Sequence, residues 1–284
     1  MITFFNIPFR AWVLGLLSFC SLFASAQERT LLDSSRWTIL APGEVSLPDI
    51  RETSPSMTAS GDTLVFARTE NWGDKVPYLA VRQGEGWQVE KLPFADTLYN
   101  LAITPDGQTI FLKQYDQVHE EKVSRVFRVD REGHGWSEPM EQDRLFNINA
   151  GYFCPMADGR LYFFARLPQP GIYYSEPQAD GSYGAPVWLS DGVGEAARTP
   201  FDVFVHPDED RLFITLSFSQ EEEANGLGPD GIYYLHQEDN TWQEPRWLPI
   251  PYSWGATVTP RGQFIFVDAG DLQVMDLKDL NVEW

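Results

Sequence analysis

The 284-residue chain sets 41 acidic side chains against 21 basic ones, a formal charge of −20 at pH 7. This balance excludes nucleic acid and anionic membrane surfaces as partners, because binding either depends on Lys and Arg neutralising phosphates. With 43% hydrophobic residues, 14% aromatic residues and only two cysteines, the fold must rest on packing rather than on a disulfide framework.

In chain order, the first element is MITFFNIPFRAWVLGLLSFCSLFASA. A single Arg10 precedes an apolar run from Ala11 to Ala24, and Ala24-Ser25-Ala26 offers the alternating small residues of a signal peptidase site. The run of about 14 residues is shorter than the roughly 20 a spanning helix needs. The expectation is a cleaved signal peptide over 1–26, export to the periplasm or the medium, and no membrane span in the remaining chain. Residues 27–284 then form one domain, with Cys154 as its only cysteine.

Five related phrases follow: TASGDTLVFAR (58–68), TPDGQTIFLKQ (104–114), MADGRLYFFAR (156–166), HPDEDRLFITLS (206–217) and TPRGQFIFVDA (259–269). Each is a polar turn followed by alternating strand residues. They recur about every 50 residues, the period of a propeller blade, and nothing after residue 26 carries the 3.6-residue pattern of helical repeats. A third strand is predicted after each: YLAVRQ (78–83), RVFRVDR (125–131), GIYYSEP (171–177), GIYYLHQ (231–237) and LQVMDL (272–277). A fourth begins at Trp87, Trp136, Tyr183 or Trp242, aromatics suited to covering the gap between neighbouring sheets.

The fifth unit has no outer strand of its own after LQVMDL, whereas RWTILAPGE (36–44) has one to spare. The prediction is therefore an all-β, five-bladed propeller of four-stranded antiparallel blades, whose last blade is closed by the N-terminal strand around Trp37. Such closure pairs an edge that would otherwise invite aggregation. The phrases at 58–68 and its relatives are the hairpins joining first to second strands.

Pro105-Asp106-Gly107, Asp158-Gly159-Arg160-Leu161-Tyr162-Phe163 and Asp230-Gly231-Ile232-Tyr233-Tyr234 resemble the repeats of the TolB-like, WD-repeat-like propeller family of exported bacterial proteins. Ser60-Gly61-Asp62 and Pro260-Arg261-Gly262 depart from the turn pattern. The resemblance spans the whole of 27–284 and implies the blade architecture; such motifs specify a fold, not an activity.

In this architecture the loops entering first strands and those joining second to third strands share one face. Counting back from each turn brings Thr53, Tyr99, Gly151, Phe201 and Trp254 to the mouth of the central channel on that face, with Glu52, Asn100, Tyr152, Arg198, Asp202 and Tyr252 beside them. The predicted ligand-binding set is Glu52, Tyr99, Asn100, Tyr152, Arg198, Phe201, Asp202, Tyr252 and Trp254: aromatics with a few polar groups, as a small-molecule or sugar pocket needs. The plain alternative is that they plug the axis, with Arg198 and Asp202 only an ion pair. Long loops over 69–77, 115–124 and 217–231, the last with Glu221-Glu222-Glu223, are predicted on the same face.

No nucleophile elbow, phosphate loop or zinc-protease motif occurs. His119, His134, His206 and His236 lack close metal-ligand spacing. His206-Pro207-Asp208-Glu209-Asp210 looks chelating but occupies a repeat's turn, where backbone hydrogen bonding accounts for its acids. No cofactor and no metal are expected. The function predicted is a non-catalytic exported propeller binding a small molecule, glycan or protein partner on the long-loop face. The alternative is a glycosidase or lyase using Glu52 and Asp202 as axial acids, which requires the two carboxyls roughly 5 to 9.5 Å apart across a sugar.

Overall fold

The structure, a computed structural model, describes residues 30–94, 96–118, 121–142, 150–167, 169–189, 199–218 and 228–284; the expected leader lies outside them. The strands form five antiparallel sheets in sequence order, each with its first strand innermost. Blade 1 comprises Arg51–Met57, Thr63–Thr69, Val76–Gln83 and Gly86–Lys91. Blade 2 comprises Tyr99–Ile103, Thr109–Val118, Glu121–Glu132 and Met140–Glu141, with Gly135–Trp136 pairing the third strand beside it. Blade 3 is built from Gly151–Pro155, Leu161–Arg166, Pro170–Ser175 and Val187–Trp188. Blade 4 uses Thr199–Val205, Arg211–Ser217, Gly231–Glu238 and Thr241–Trp242, with Arg246–Trp247 also on the third strand.

Blade 5 has Trp254–Val258, Gln263–Asp268 and Asp271–Asp276 from the C-terminal end, and its outer strand is Trp37–Ile39. Trp37 pairs with Met275, Thr38 with Val274 and Ile39 with Gln273, so the ring closes through the N-terminal strand as the repeat count predicts.

Five apolar clusters fill the five seams between blades, and one outer aromatic enters each. Trp87 of blade 1 packs with blade 5 residues, Trp136 of blade 2 with blade 1, Tyr183 of blade 3 with blade 2, Trp242 of blade 4 with blade 3, and Trp37 of blade 5 with blade 4. The fully buried phenylalanines of these seams, Phe66, Phe111, Phe163, Phe213 and Phe264, add the hydrophobic free energy of complete removal from water.

Three local expectations are corrected. The predicted loop 115–124 is instead a continuation of the blade 2 ladder, with pairing through Tyr115 to Ser124 and on to Val118 with Glu121. No Gly or Pro interrupts residues 109–132, so nothing stops the two strands from extending. The outer strands of blades 2 and 4 are each split in two, and the break falls at Pro139 and Pro245, whose missing N–H interrupts the ladder. In blade 3 the outer strand begins only after Pro186, and Tyr183 makes a lone bridge to Pro177.

The first hairpins turn through left-handed residues: Gly61, Gly107, Gly159 and Gly262, with Glu209 at the equivalent place in blade 4. In the second and third turns an Asp side chain holds the backbone two residues on, Asp106 accepting from Gln108 N at 3.0 Å and Asp158 from Arg160 N at 2.9 Å.

Candidate functional site at the axis and on the long-loop face

Each inner strand has its register shifted at the same point: between Thr53 and Ser56, Tyr99 and Ala102, Gly151 and Cys154, Phe201 and Val203, Trp254 and Thr257. The bulged residues are Ser54, Asn100, Tyr152, Asp202 and Gly255, with φ of 54°, 56°, 57°, 54° and 66°. Asn, Asp and Gly are the residues that accept this left-handed region at least cost, and three of the five positions carry them. At Gly255 a Cβ would lie 3.0 Å from Pro55 Cδ, so the close approach of blades 5 and 1 also demands glycine.

The bulges tie neighbouring blades together. Asn100 Oδ1 accepts the N–H of Tyr152, and Asp202 Oδ2 accepts the N–H of Gly255 at 2.9 Å. At the alternate seams the acceptor sits two residues further along: Ser56 Oγ takes Ile103 N at 3.1 Å, and Cys154 Sγ takes Val205 N at 3.3 Å. The last seam uses a side chain instead, with Trp254 Nε1 donating to Thr53 Oγ1 at 3.4 Å.

The bulge ring also shapes a cavity of about 730 Å³ running along the axis to the first-hairpin turns. Ser54, Asn100, Tyr152, Asp202 and Gly255 line it, and so does the residue after each of them: Pro55, Leu101, Phe153, Val203 and Ala256. Its rim carries His206, Arg261 and the Asp276–Lys278 ion pair, 2.6 Å long. It opens toward the tight turns, the face opposite the long loops.

On the long-loop face stands a run of aromatic rings. Tyr252 lies 5.8 Å from Trp254, and Trp254 lies 5.6 Å from Trp72, which the 69–77 loop of blade 1 supplies. Tyr252 is 47% and Trp72 42% exposed. The Arg51 guanidinium sits 5.2 Å over the Trp72 ring, and Lys75 Nζ sits 4.7 Å over Tyr99, within cation–π range. Burial lowers the pKa of Lys75.

The predicted residues therefore separate into groups. Tyr99, Tyr252 and Trp254 belong to the long-loop face. Asn100, Tyr152 and Asp202 line the axial cavity. Phe201 packs its ring 5.7 Å from Tyr152 in the seam between blades 3 and 4. Glu52 is fully buried, 3.7 Å from Arg68 Nε, and accepts Leu47 N at 3.2 Å; it does not line the cavity that Asp202 lines. Arg198, His119 and the triplet 221–223 lie outside the described residues.

Both axial acids titrate high. Burial raises Glu52 to about 7 against the pull of the Leu47 N–H and Arg68, and burial raises Asp202 to about 7 against the Gly255 N–H and the Thr215 hydroxyl. Among the described residues no cation pairs with Asp202.

Arg51, Trp72, Lys75 and Lys113 were not foreseen. Lys113 is buried, which lowers it to about 8, and its ammonium lies 6.0 Å over the Tyr152 ring because Gly151 leaves it room: a Cβ there would meet Lys113 Nζ at 2.6 Å. That glycine opposite a central-strand lysine is the only trace of the arrangement in the sequence.

His206, Asp208 and Asp210 hold ligand-type atoms within 4.8 Å of one another. His206 Nδ1 already accepts Asp208 N at 3.0 Å, and Arg211 Nε pairs with Asp210 at 2.8 Å, so the group works as a turn network.

The fold and this axis define the chain as a five-bladed β-propeller. No family model and no curated protein sequence matches it. Solved structures do: a putative TolB from Agrobacterium tumefaciens is 16% identical with a TM-score of 0.50, covering 82% of this chain and 79% of that one. TolB from Acinetobacter baumannii is 14% identical with a TM-score of 0.49, over 79% of this chain and 54% of that one, so the chain spans about half of its length. A gluconolactonase from Xanthomonas campestris is 12% identical with a TM-score of 0.47, over 87% of this chain and 94% of that one. Among the described residues no helix is long and apolar enough to cross a membrane.

Proposed function

We propose that residues 1–26 direct export, and that 27–284 act as a single non-catalytic domain binding a glycan on the long-loop face. The observation that carries this reading is the run of rings Tyr252, Trp254 and Trp72, two of them open to solvent. The exposed rings of Tyr252 and Trp72, tilted 46° and 52° to Trp254 between them, offer faces suited to the apolar C–H faces of sugars, while Arg51 beside Trp72 and Lys75 beside Tyr99 supply donors for hydroxyl or carboxylate groups. Asn100, Tyr152, Phe201 and Asp202 lie along the axis and between blades, and Glu52 supports the entry strand of blade 1 from within. The enclosure of Glu52 favours binding over hydrolysis, since a glycosidase needs both carboxyls open to one sugar.

A glycan screen by thermal shift tests the proposal, because a ligand selective for the native state raises its apparent stability by mass action. A hit should weaken about tenfold or more on Trp72→Ala or Trp254→Ala, the loss of one stacked ring. Full-strength binding by both variants would rule the platform out. Turnover of the bound glycan would overturn the non-catalytic reading.

A further inference from the structure

We propose that the axial cavity on the hairpin face is a second binding site, separate from the aromatic platform, for an organic amine with an apolar body, and that Asp202 supplies the counter-charge at its inner end.

Three observations carry this. The cavity, about 730 Å³, is large enough for a small organic molecule. Its walls between the bulge ring and the turns are apolar, since each strand adds residues such as Leu101, Ile103, Val203 and Val205, which favour a hydrocarbon or aromatic body. Among the described residues only two acids line it. Asp276 at the rim is already matched by Lys278, whereas Asp202 at the bulge ring is met by the Gly255 N–H and the Thr215 hydroxyl, both neutral, and has no cationic partner among the described residues.

A buried carboxylate without a counter-ion is costly, and the cost is relieved either by protonation or by a cation entering from outside. Its high pKa is the first response; a ligand ammonium would supply the second. The ammonium would donate a charge-assisted hydrogen bond to the carboxylate, roughly twice as strong as a neutral one, while the body of the molecule displaces water from the walls. The chain's charge of −20 adds a long-range attraction for cations at low ionic strength. An anionic ligand oriented the other way would meet Arg261 at the rim, but that side chain is exposed, where an ion pair adds little.

The test is calorimetric titration at pH 8 with three indoles of similar shape: tryptamine, its alcohol counterpart tryptophol, and indole-3-propionate. Tryptamine should bind at least tenfold more tightly than tryptophol, and the propionate least. Asp202→Asn retains an acceptor for Gly255 N and should bring tryptamine and tryptophol to parity. Ala256→Phe, which fills the cavity, should weaken both; Trp72→Ala should leave both unchanged, separating this site from the glycan platform. Equal affinities for amine and alcohol on the unaltered protein would overturn the proposal, whatever the variants do. So would tighter binding of the acid, no binding of any of the three, an amine preference that survives Asp202→Asn, or binding lost with Trp72→Ala but not with Ala256→Phe.

Discussion

The side chain of Asn100 accepts the backbone N–H of Tyr152 in the next blade, and both residues sit in the left-handed region at the same point of their strands. One residue thus sets the bend of its own strand and the spacing to its neighbour.

Replacing Asn100 separates these two tasks. Asn100→Gly keeps the backbone conformation and loses the acceptor, leaving a buried N–H unpaired at a cost of about 1–3 kcal/mol. Asn100→Ala adds backbone strain of roughly 1 kcal/mol on top. Urea unfolding should rank the proteins wild type, Gly, Ala; an Ala variant as stable as the Gly variant would show that the strand does not need this bend.

At the adjacent seam, Ser56→Ala removes the acceptor of Ile103 N and should cost about 1–2 kcal/mol by the same measurement. The exposed Glu85→Ala serves as a control, expected to fall within roughly 0.5 kcal/mol.

Cys154 is buried and its thiol is pushed up to about 12, chiefly by burial. Native protein at pH 8 should therefore react with a disulfide reagent orders of magnitude more slowly than protein in 6 M urea. Rapid labelling of the folded state would place the thiol in solvent.

The pH dependence of stability has a definite sign. Asp202 and Glu52 hold protons up to about pH 7 in the folded state, whereas unfolded carboxyls lose theirs near pH 4. Between these values the folded chain binds more protons, so their contribution falls as pH rises from about 4 to 7 and is flat above. Asp62, Asp106 and Asp210, lowered by local hydrogen bonds, act oppositely and lose stability only as pH drops below about 4. The urea midpoint should peak in mildly acid solution, and Asp202→Asn should flatten the decline between pH 5 and 7. An unchanged slope in that variant would assign the titration elsewhere.

Ring closure gives the last prediction. Trp37 packs edge-on against Phe266 at 6.1 Å in the seam between blades 4 and 5. Trp37→Ala should cost about 3 kcal/mol, at the lower end for a large aromatic because the side chain is only half-buried. A shift within error in thermal unfolding would mean that the N-terminal strand contributes little to closure.

Much of this architecture was legible because blades repeat. The turn at Asp106-Gly107 and its relatives fixed the hairpins, and the surplus strand at Trp37 fixed the closure. The bulges were not legible as such. Counting along an alternating strand stops at Tyr99, Phe201 and Trp254, and the inserted residue after each resets which side chains meet the axis. Asn100, Asp202 and Gly255, recurring one place beyond those aromatics, are the signal in retrospect. Trp72 was hidden because a loop tryptophan has no periodicity to place it. Lys113 was hidden because its room is made by Gly151, a residue from another blade.

The inter-blade hydrogen bonds come in two kinds that take turns around the axis, and five is an odd number. After Ser56, Asn100, Cys154 and Asp202 have each served one junction, the fifth has no consistent choice left: Thr257 Oγ1 is buried with no partner among the described residues, and an indole bridges Thr53 instead. Parity thus concentrates the mismatch between blade 5, which binds the N-terminal strand, and blade 1. Amide exchange should begin at that junction, along the inner strand of the same blade whose outer edge is closed by the N-terminal strand.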